Sequence, residues 1–139
     1  DYIEEKNGAA IRVIFRTRGE EYFRKLEQEA LEEISQLEKT VVALGGGTPC
    51  FSNNLKLIKD NKEVTSFFLN VSVSQLAKRL MLEKNTRPLV KYVQTEAEML
   101  EFVGKHLFER LPFYNESQFK IDANKPKETI LEDMLFNLL

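Results

Sequence analysis

The stretch Thr40–Cys50, TVVALGGGTPC, joins an apolar run to three consecutive glycines. The run Thr40–Leu44 is apolar and rich in β-forming residues, which predicts a buried strand. Gly45, Gly46 and Gly47 then remove every side chain from the next stretch of backbone. Such a triplet favours either a tight turn that needs positive φ or a place where a ligand lies close to backbone N–H groups. Both interpretations stay open from these residues alone.

Length and composition predict one soluble globular domain with a single core. The chain has 139 residues, of which 42% are hydrophobic, and its 20 basic and 22 acidic residues give a net charge of -2. This balance excludes a broad basic surface for nucleic acid or for an anionic membrane. The lone Cys50 cannot form an internal disulfide, and no apolar run is long enough for a membrane span or signal sequence. A reducing, cytoplasmic setting is expected.

Helical and strand patterns alternate along the first half of the chain. Apolar residues at spacings of three and four predict one helix over Glu20–Leu37. After the strand at Thr40–Leu44, a short helix is predicted over Asn53–Ile58 and a second strand over Ser66–Val71. Two strands joined through a helix predict a parallel pair.

Two helix starts carry capping signals. Ser72 is followed at the required spacing by Gln75, and Thr95 by Glu98. These pairs predict one helix after Ser72 and a longer one after Thr95 that ends before Pro112.

The segment between these two helices, about residues 84–95, is polar and interrupted by proline, which predicts a loop or lid. A strand over Phe119–Asp122 and a helix containing Ile130–Leu138 complete the chain. These elements predict a single α/β domain over residues 1–139 with a mostly parallel sheet, the class in which ligands bind beyond the carboxyl ends of the strands.

Several arginines are candidates for binding an anion. Arg24 lies three residues before Glu27 on the predicted helix, so this carboxylate can hold a guanidinium whose donor fork suits a second carboxylate. Taken singly, such a pair is more often a surface ion pair of small energy. Arg79, Arg87 and Arg110 add further cations, and together they favour an anion site.

An ordered series of motifs resembles shikimate kinase along the chain from Asp1 to the C-terminus. The motifs are GEEYFRKLE (19–27), VVALGGG (41–47), NTRPLV (85–90), ERLPFY (109–114) and KIDANKP (120–126). The resemblance implies a three-layer α/β/α fold of the P-loop small-metabolite kinase type. It also implies phosphorylation of the 3-hydroxyl of shikimate by ATP in the chorismate pathway, by a cytoplasmic protein that is a monomer when complete and binds neither nucleic acid nor membrane.

The resemblance also implies roles for particular residues. Asp1 would assist removal of the hydroxyl proton, and Arg87, in the lid, would reach the transferring phosphate. The residues implied in shikimate binding are Asp1, Phe15, Phe23, Arg24, Gly45, Gly46, Gly47 and Arg110. Those implied in ATP binding are Arg79, Arg87 and Pro126.

One feature of the family is missing from the residues of this chain. No stretch matches G-x-x-x-x-G-K-[ST], and GGGTPC lacks the lysine that reaches ATP phosphates. The resemblance implies that this loop, the Mg²⁺ ligands and a strand–loop–helix–strand unit precede Asp1, with the absent first strand lying beside Thr40–Leu44 and Ser66–Val71. Two alternatives stay open: a binding module for shikimate-like acids without catalysis, and a related small-metabolite kinase. His106 and Cys50 provide no transition-metal cluster.

Overall fold

The chain divides into two compact units, residues 1–65 and residues 66–139. The computed structural model describes residues 1–139 except the side chain of residue 88. The first unit contains helices α1 (Tyr2–Asn7), α2 (Ile11–Arg18), α3 (Glu20–Ile34) and α4 (Asn54–Asp60), with a 3₁₀ turn at Thr48–Cys50. The second contains β1 (Phe67–Asn70), α5 (Val73–Glu83), α6 (Glu96–Tyr114), β2 (Phe119–Asp122) and α7 (Lys127–Leu138). Within the described residues no helix is long and apolar enough to cross a membrane.

The first unit is organised around α3. Gly19, with φ 85°, separates α2 from α3 and adopts a backbone conformation that other residues rarely take. Phe23, Ala30 and Leu31 of α3 are buried, as is Ile14 of α2. The predicted helix is confirmed, although it ends at Ile34.

The strand predicted over Thr40–Leu44 is absent from the structure. These residues adopt no regular secondary structure, and Val41 is 97% exposed. A β-strand exists only through hydrogen bonds to a neighbour, and the sheet found in the described residues pairs β1 with β2. The prediction of a parallel pair between Thr40–Leu44 and Ser66–Val71 is therefore wrong as well.

A parallel sheet does form in the second unit, between β1 and β2. Phe67 lies opposite Phe119 and Asn70 opposite Asp122. The two phenylalanine rings stack with their centroids 5.4 Å apart, which adds a cross-strand aromatic contact to the ladder. The predicted strand Phe119–Asp122 is confirmed, and so is the α/β class with parallel strands.

A hydrophobic cluster of Ala77, Val90, Met99 and Val103 joins α5 to α6. Val90 comes from the segment predicted as a lid, where two 3₁₀ turns, Lys84–Thr86 and Pro88–Val90, follow α5. Its side chain is 2% exposed. The middle of this segment is therefore anchored in the core of the second unit.

The two predicted helix caps are confirmed. The Ser72 hydroxyl accepts a hydrogen bond from the Gln75 N–H at 3.3 Å, and the Thr95 hydroxyl accepts one from the Glu98 N–H at 3.1 Å. The helix after Thr95 does not end before Pro112, as predicted, but continues to Tyr114. Pro112 lies in the last turn and removes only one backbone N–H donor. The helical hydrogen bonds continue after it, since the Asn115 N–H donates to the Leu111 carbonyl at 2.8 Å.

Candidate active site

Arg24 is the centre of a polar cluster in the first unit. It follows the buried Phe23 on α3, and its side chain is 17% exposed. Its guanidinium carbon lies 3.8 Å from the centroid of the Phe51 ring and 5.2 Å from that of Phe23. These stacking contacts suit a planar, weakly hydrated guanidinium and restrict its movement.

Glu27 fixes one side of that guanidinium. Arg24 Nη1 donates to Glu27 Oε1 at 2.9 Å, and the hydroxyl of Thr48 donates to the other oxygen, Oε2, at 2.8 Å. Glu27 is only 6% exposed, so its charge is stabilised by these partners rather than by bulk water. The predicted pairing of Arg24 with Glu27 is confirmed.

The glycine turn is explained by close approach of a side chain. A Cβ atom added to Gly47 would lie 2.9 Å from Arg24 Nη2 and 3.0 Å from Nη1, so any other residue there would displace the guanidinium from its present position. Gly47 has φ -86° and ψ -15°, so its conformation does not need glycine. At Gly45 an added Cβ would meet the Thr48 hydroxyl at 3.3 Å. The glycine turn therefore lets the Arg24 guanidinium pack directly against its backbone.

Glu20 covers the opposite edge of the guanidinium. Its Oε1 atom accepts from Arg24 Nε at 3.4 Å and from Nη2 at 3.3 Å. Both distances are long for charged groups, and the Glu20 side chain is 56% exposed. Glu20 thus holds Arg24 weakly at the edge that can bind a carboxylate through two parallel hydrogen bonds.

Three members of this cluster were missed from the sequence: Thr48, Phe51 and Asn54. Asn54 is fully buried, and its Nδ2 atom donates to the Thr48 carbonyl at 2.9 Å. Only their position directly after the glycine triplet could have drawn attention to Thr48 and Phe51, because their contacts to α3 cross more than twenty residues of sequence.

Other predicted residues of the first unit lie in different settings. The half-buried Phe15 contacts Phe23, with ring centroids 4.6 Å apart. The carbonyl of Gly46 accepts a weak hydrogen bond from the Cys50 thiol at 3.9 Å. Asp1 is exposed ahead of α1, and its carbonyl accepts from the Glu5 N–H at 2.8 Å. The structure thus brings Phe23, Arg24, Gly45 and Gly47 together around Glu27 and Thr48.

The predicted residues of the second unit lie on α5, α6 and the segments that follow them. Arg110 is half-buried and lines a largely apolar cavity of about 300 Å³ together with Phe68 and His106. The His106 ring stacks on Phe102, and its Nδ1–H donates to the Phe102 carbonyl at 3.0 Å, which indicates a structural role. Arg79 is exposed on α5.

Arg87 and Pro126 occupy exposed segments of the same unit. Arg87 is paired with Glu83, with Nη2 and Oε2 2.9 Å apart. Pro126 precedes α7, and Asn124, two residues earlier, accepts from the Ser72 N–H at 2.9 Å. Hydrogen bonds from the backbone and side chain of Asn124 lower the pKa of Asp122. The loop before α7 is thereby tied to the start of α5.

The resemblance implies Mg²⁺, which prefers oxygen ligands such as carboxylates. Among the described residues no group of three or more histidine, cysteine or acidic side chains could hold a metal ion. The described side chains therefore form no all-protein cage for a metal ion, whereas kinases usually hold Mg²⁺ through one or two carboxylates together with substrate phosphates.

Comparison with known proteins identifies the family. The family model for shikimate kinase matches residues 1–138. A shikimate kinase of Flavobacterium johnsoniae is 40% identical over 135 residues, covering 96% of this chain and 77% of that protein. The crystal structure of shikimate kinase from Bacteroides thetaiotaomicron matches with a TM-score of 0.88 at 32% identity, covering 99% of this chain and 79% of the other. That of Acinetobacter baumannii shikimate kinase in complex with shikimate matches with a TM-score of 0.77 at 30% identity, over 99% and 76% of the two chains. The chain belongs to the shikimate kinase family.

Proposed function

We propose that this protein is a kinase that transfers the γ-phosphoryl group of ATP to the 3-hydroxyl of shikimate, giving shikimate 3-phosphate and ADP. Membership of the shikimate kinase family supports this activity. The product belongs to the chorismate pathway of aromatic amino acid synthesis, and the cytoplasm is the proposed location.

The observation that carries the proposal is the setting of Arg24. One side of its guanidinium is fixed by the buried Glu27, and its face rests on Phe51. Among the described side chains, Glu20 covers the Nε and Nη2 edge, through long and exposed contacts. A substrate carboxylate can replace Glu20 there and accept two short parallel hydrogen bonds, which an arginine fork is shaped to donate.

The remaining roles are proposed from the resemblance. Asp1 accepts the proton of the 3-hydroxyl, whose oxygen attacks the γ-phosphorus of ATP while the bond to the bridging oxygen of ADP breaks. Arg87 stabilises charge on the transferring phosphoryl group, since such reactions depend mainly on positioning and electrostatics. Arg110 is the second proposed ligand of the carboxylate, Gly46 a backbone contact, and Arg79 and Pro126 residues of the adenine site. When bound, Mg²⁺ would neutralise charge on the ATP phosphates.

Replacement of Arg24 by lysine tests the site directly. Lysine keeps a positive charge for Glu27 but lacks the planar donor fork. In the full-length protein we predict that Arg24→Lys weakens shikimate binding by about 1.5 to 3 kcal/mol, the value of hydrogen bonds to charged groups. Isothermal titration calorimetry with shikimate, and a coupled assay for ADP formation, measure the change.

The matched control is Lys25→Ala, because Lys25 is the exposed neighbour of Arg24 on the same helix. This variant should bind shikimate as the parent protein does. Unchanged shikimate affinity in Arg24→Lys would show that Arg24 does not bind the carboxylate. Absence of shikimate-dependent ADP formation in the parent protein would contradict the proposed activity itself.

A further inference from the structure

Thr48 links the glycine turn to the buried carboxylate beneath Arg24. It is 4% exposed and follows Gly47 directly. Its backbone N–H donates to the Gly45 carbonyl at 3.0 Å, and its own carbonyl accepts from Asn54 Nδ2 at 2.9 Å. These two hydrogen bonds fix the backbone of Thr48, and so they fix the position from which its hydroxyl donates to Glu27.

The Glu27 carboxylate is held by a different partner at each oxygen. Oε1 accepts from Arg24 at 2.9 Å and Oε2 accepts from Thr48 at 2.8 Å. A carboxylate held at one oxygen can still rotate about its last bond, whereas two directional hydrogen bonds define its plane. Because Glu27 is buried, bulk water is poorly placed to replace a lost partner. The orientation of the Arg24 fork therefore depends on the Thr48 hydroxyl through its hydrogen bond to Glu27.

We propose that Thr48 is a positioning residue for carboxylate recognition: its hydroxyl orients Glu27, and Glu27 holds the Arg24 fork against Gly47 in the direction that binds the substrate carboxylate. This inference rests on the proposed function, in which Arg24 binds that carboxylate. Thr48 contributes no contact of its own to the substrate carboxylate in this scheme.

The test compares Thr48→Val, which keeps the shape of the side chain but removes the hydroxyl, with Thr48→Ser, which keeps the hydroxyl. In steady-state assays of the full-length protein, Thr48→Val should raise the KM for shikimate about tenfold, as expected for loss of a hydrogen bond to a charged group. The KM for ATP should stay unchanged, and Thr48→Ser should behave as the parent. If Thr48→Val does not fold, Thr48→Ala provides the hydroxyl-free comparison.

A second readout separates positioning from general loosening of the fold. The neutral carboxamide of shikimate keeps the ring but lacks the charge that the fork recognises. Thr48→Val should reduce the ratio of kcat/KM for shikimate to kcat/KM for the carboxamide about tenfold. Equal losses on both compounds would show that Thr48 acts only on stability and would overturn the proposal.

Combination with Arg24→Lys tests the proposed route of action. If Thr48 acts through the Arg24 fork, Thr48→Val should have no further effect on the KM for shikimate in the Arg24→Lys background. Independent, multiplying effects would overturn the proposal. Weak binding by Arg24→Lys with normal behaviour of Thr48→Val would contradict this inference alone, whereas normal binding by Arg24→Lys would contradict the proposed site and the inference with it.

Discussion

Arg24 is held by contacts of unequal strength. The hydrogen bond to Glu27 is 2.9 Å long and partly buried, and removal of Arg24 would leave the buried Glu27 carboxylate without its charged partner. The contacts to Glu20 are long and exposed, so water and salt screen them. The buried carboxylate therefore sets the position of the guanidinium, and the exposed one acts as a replaceable partner.

This difference predicts that Glu20 competes with the substrate carboxylate. Glu20→Gln removes the competing charge while keeping the size of the side chain. The KM for shikimate should fall roughly twofold at low salt, in line with the small energy of an exposed ion pair. Steady-state kinetics at two ionic strengths measure this, and the difference from the parent should shrink at high salt.

Glu21→Gln is the matched control, because Glu21 is the exposed neighbouring residue on α3. It should leave the KM for shikimate unchanged. A higher KM in Glu20→Gln would mean that Glu20 helps to hold Arg24 in its binding position, contrary to the interpretation given above.

At the scale of elements, α6 depends on its first turn. Thr95 accepts from the Glu98 N–H, and Glu98 Oε2 accepts in return from the Gln94 N–H at 3.0 Å. The Glu98 N–H is one of the donors that an α-helix leaves unpaired at its start, and the Glu98 carboxylate also fixes the backbone just before the cap. Met99 and Val103 of α6 lie in the core of the second unit, and Arg110 lines the apolar cavity described above. A stable first turn of α6 therefore helps to hold all three residues in place.

Removal of the Thr95 hydroxyl should destabilise the second unit. We predict that Thr95→Ala lowers the free energy of unfolding by about 1 kcal/mol, the usual value of an N-cap. Urea denaturation followed by circular dichroism measures this. Thr95→Ser keeps the acceptor and should unfold close to the parent, whereas equal destabilisation by serine would assign the effect to the lost methyl group.

At the scale of the whole molecule, the predicted residues are distributed over both units. Phe15, Phe23, Arg24 and the glycine turn belong to residues 1–65. Arg79, Arg87, Arg110 and Pro126 belong to residues 66–139. Because the two sets of residues belong to different units, the proposed roles of each unit can be tested separately.

Replacement of Arg87 tests the contribution of the second unit. Its pairing with Glu83, four residues earlier, is exposed and is worth only about 0.3 to 0.5 kcal/mol, so the guanidinium can leave it at small cost. Arg87→Ala should lower kcat on the order of 100-fold, as when one stabilising donor is lost from a transition state. The KM for shikimate should change little.

Lys91→Ala in the same segment is the control, since Lys91 is exposed and lies over the Tyr92 ring. Its kcat should equal that of the parent protein. An increased KM with unchanged kcat in Arg87→Ala would assign Arg87 to ground-state binding instead of to phosphoryl transfer.

The sequence by itself determined the features that depend on near neighbours in the chain. Regular apolar spacing predicted α3, the capping signals at Ser72 and Thr95 predicted the starts of α5 and α6, and the three-residue spacing of Arg24 and Glu27 predicted their ion pair. These features follow from helical geometry over three or four residues.

Only the tertiary structure decided the features that depend on distant partners. The segment 40–44 has a β-forming composition, but strand formation requires a hydrogen-bonded neighbour, which composition cannot specify. Gly47 leaves room for the guanidinium of Arg24, 23 residues earlier in the sequence, and the Thr48 hydroxyl donates to Glu27, 21 residues away. Such contacts arise only when α3 and the glycine turn pack together, so local sequence patterns do not reveal them.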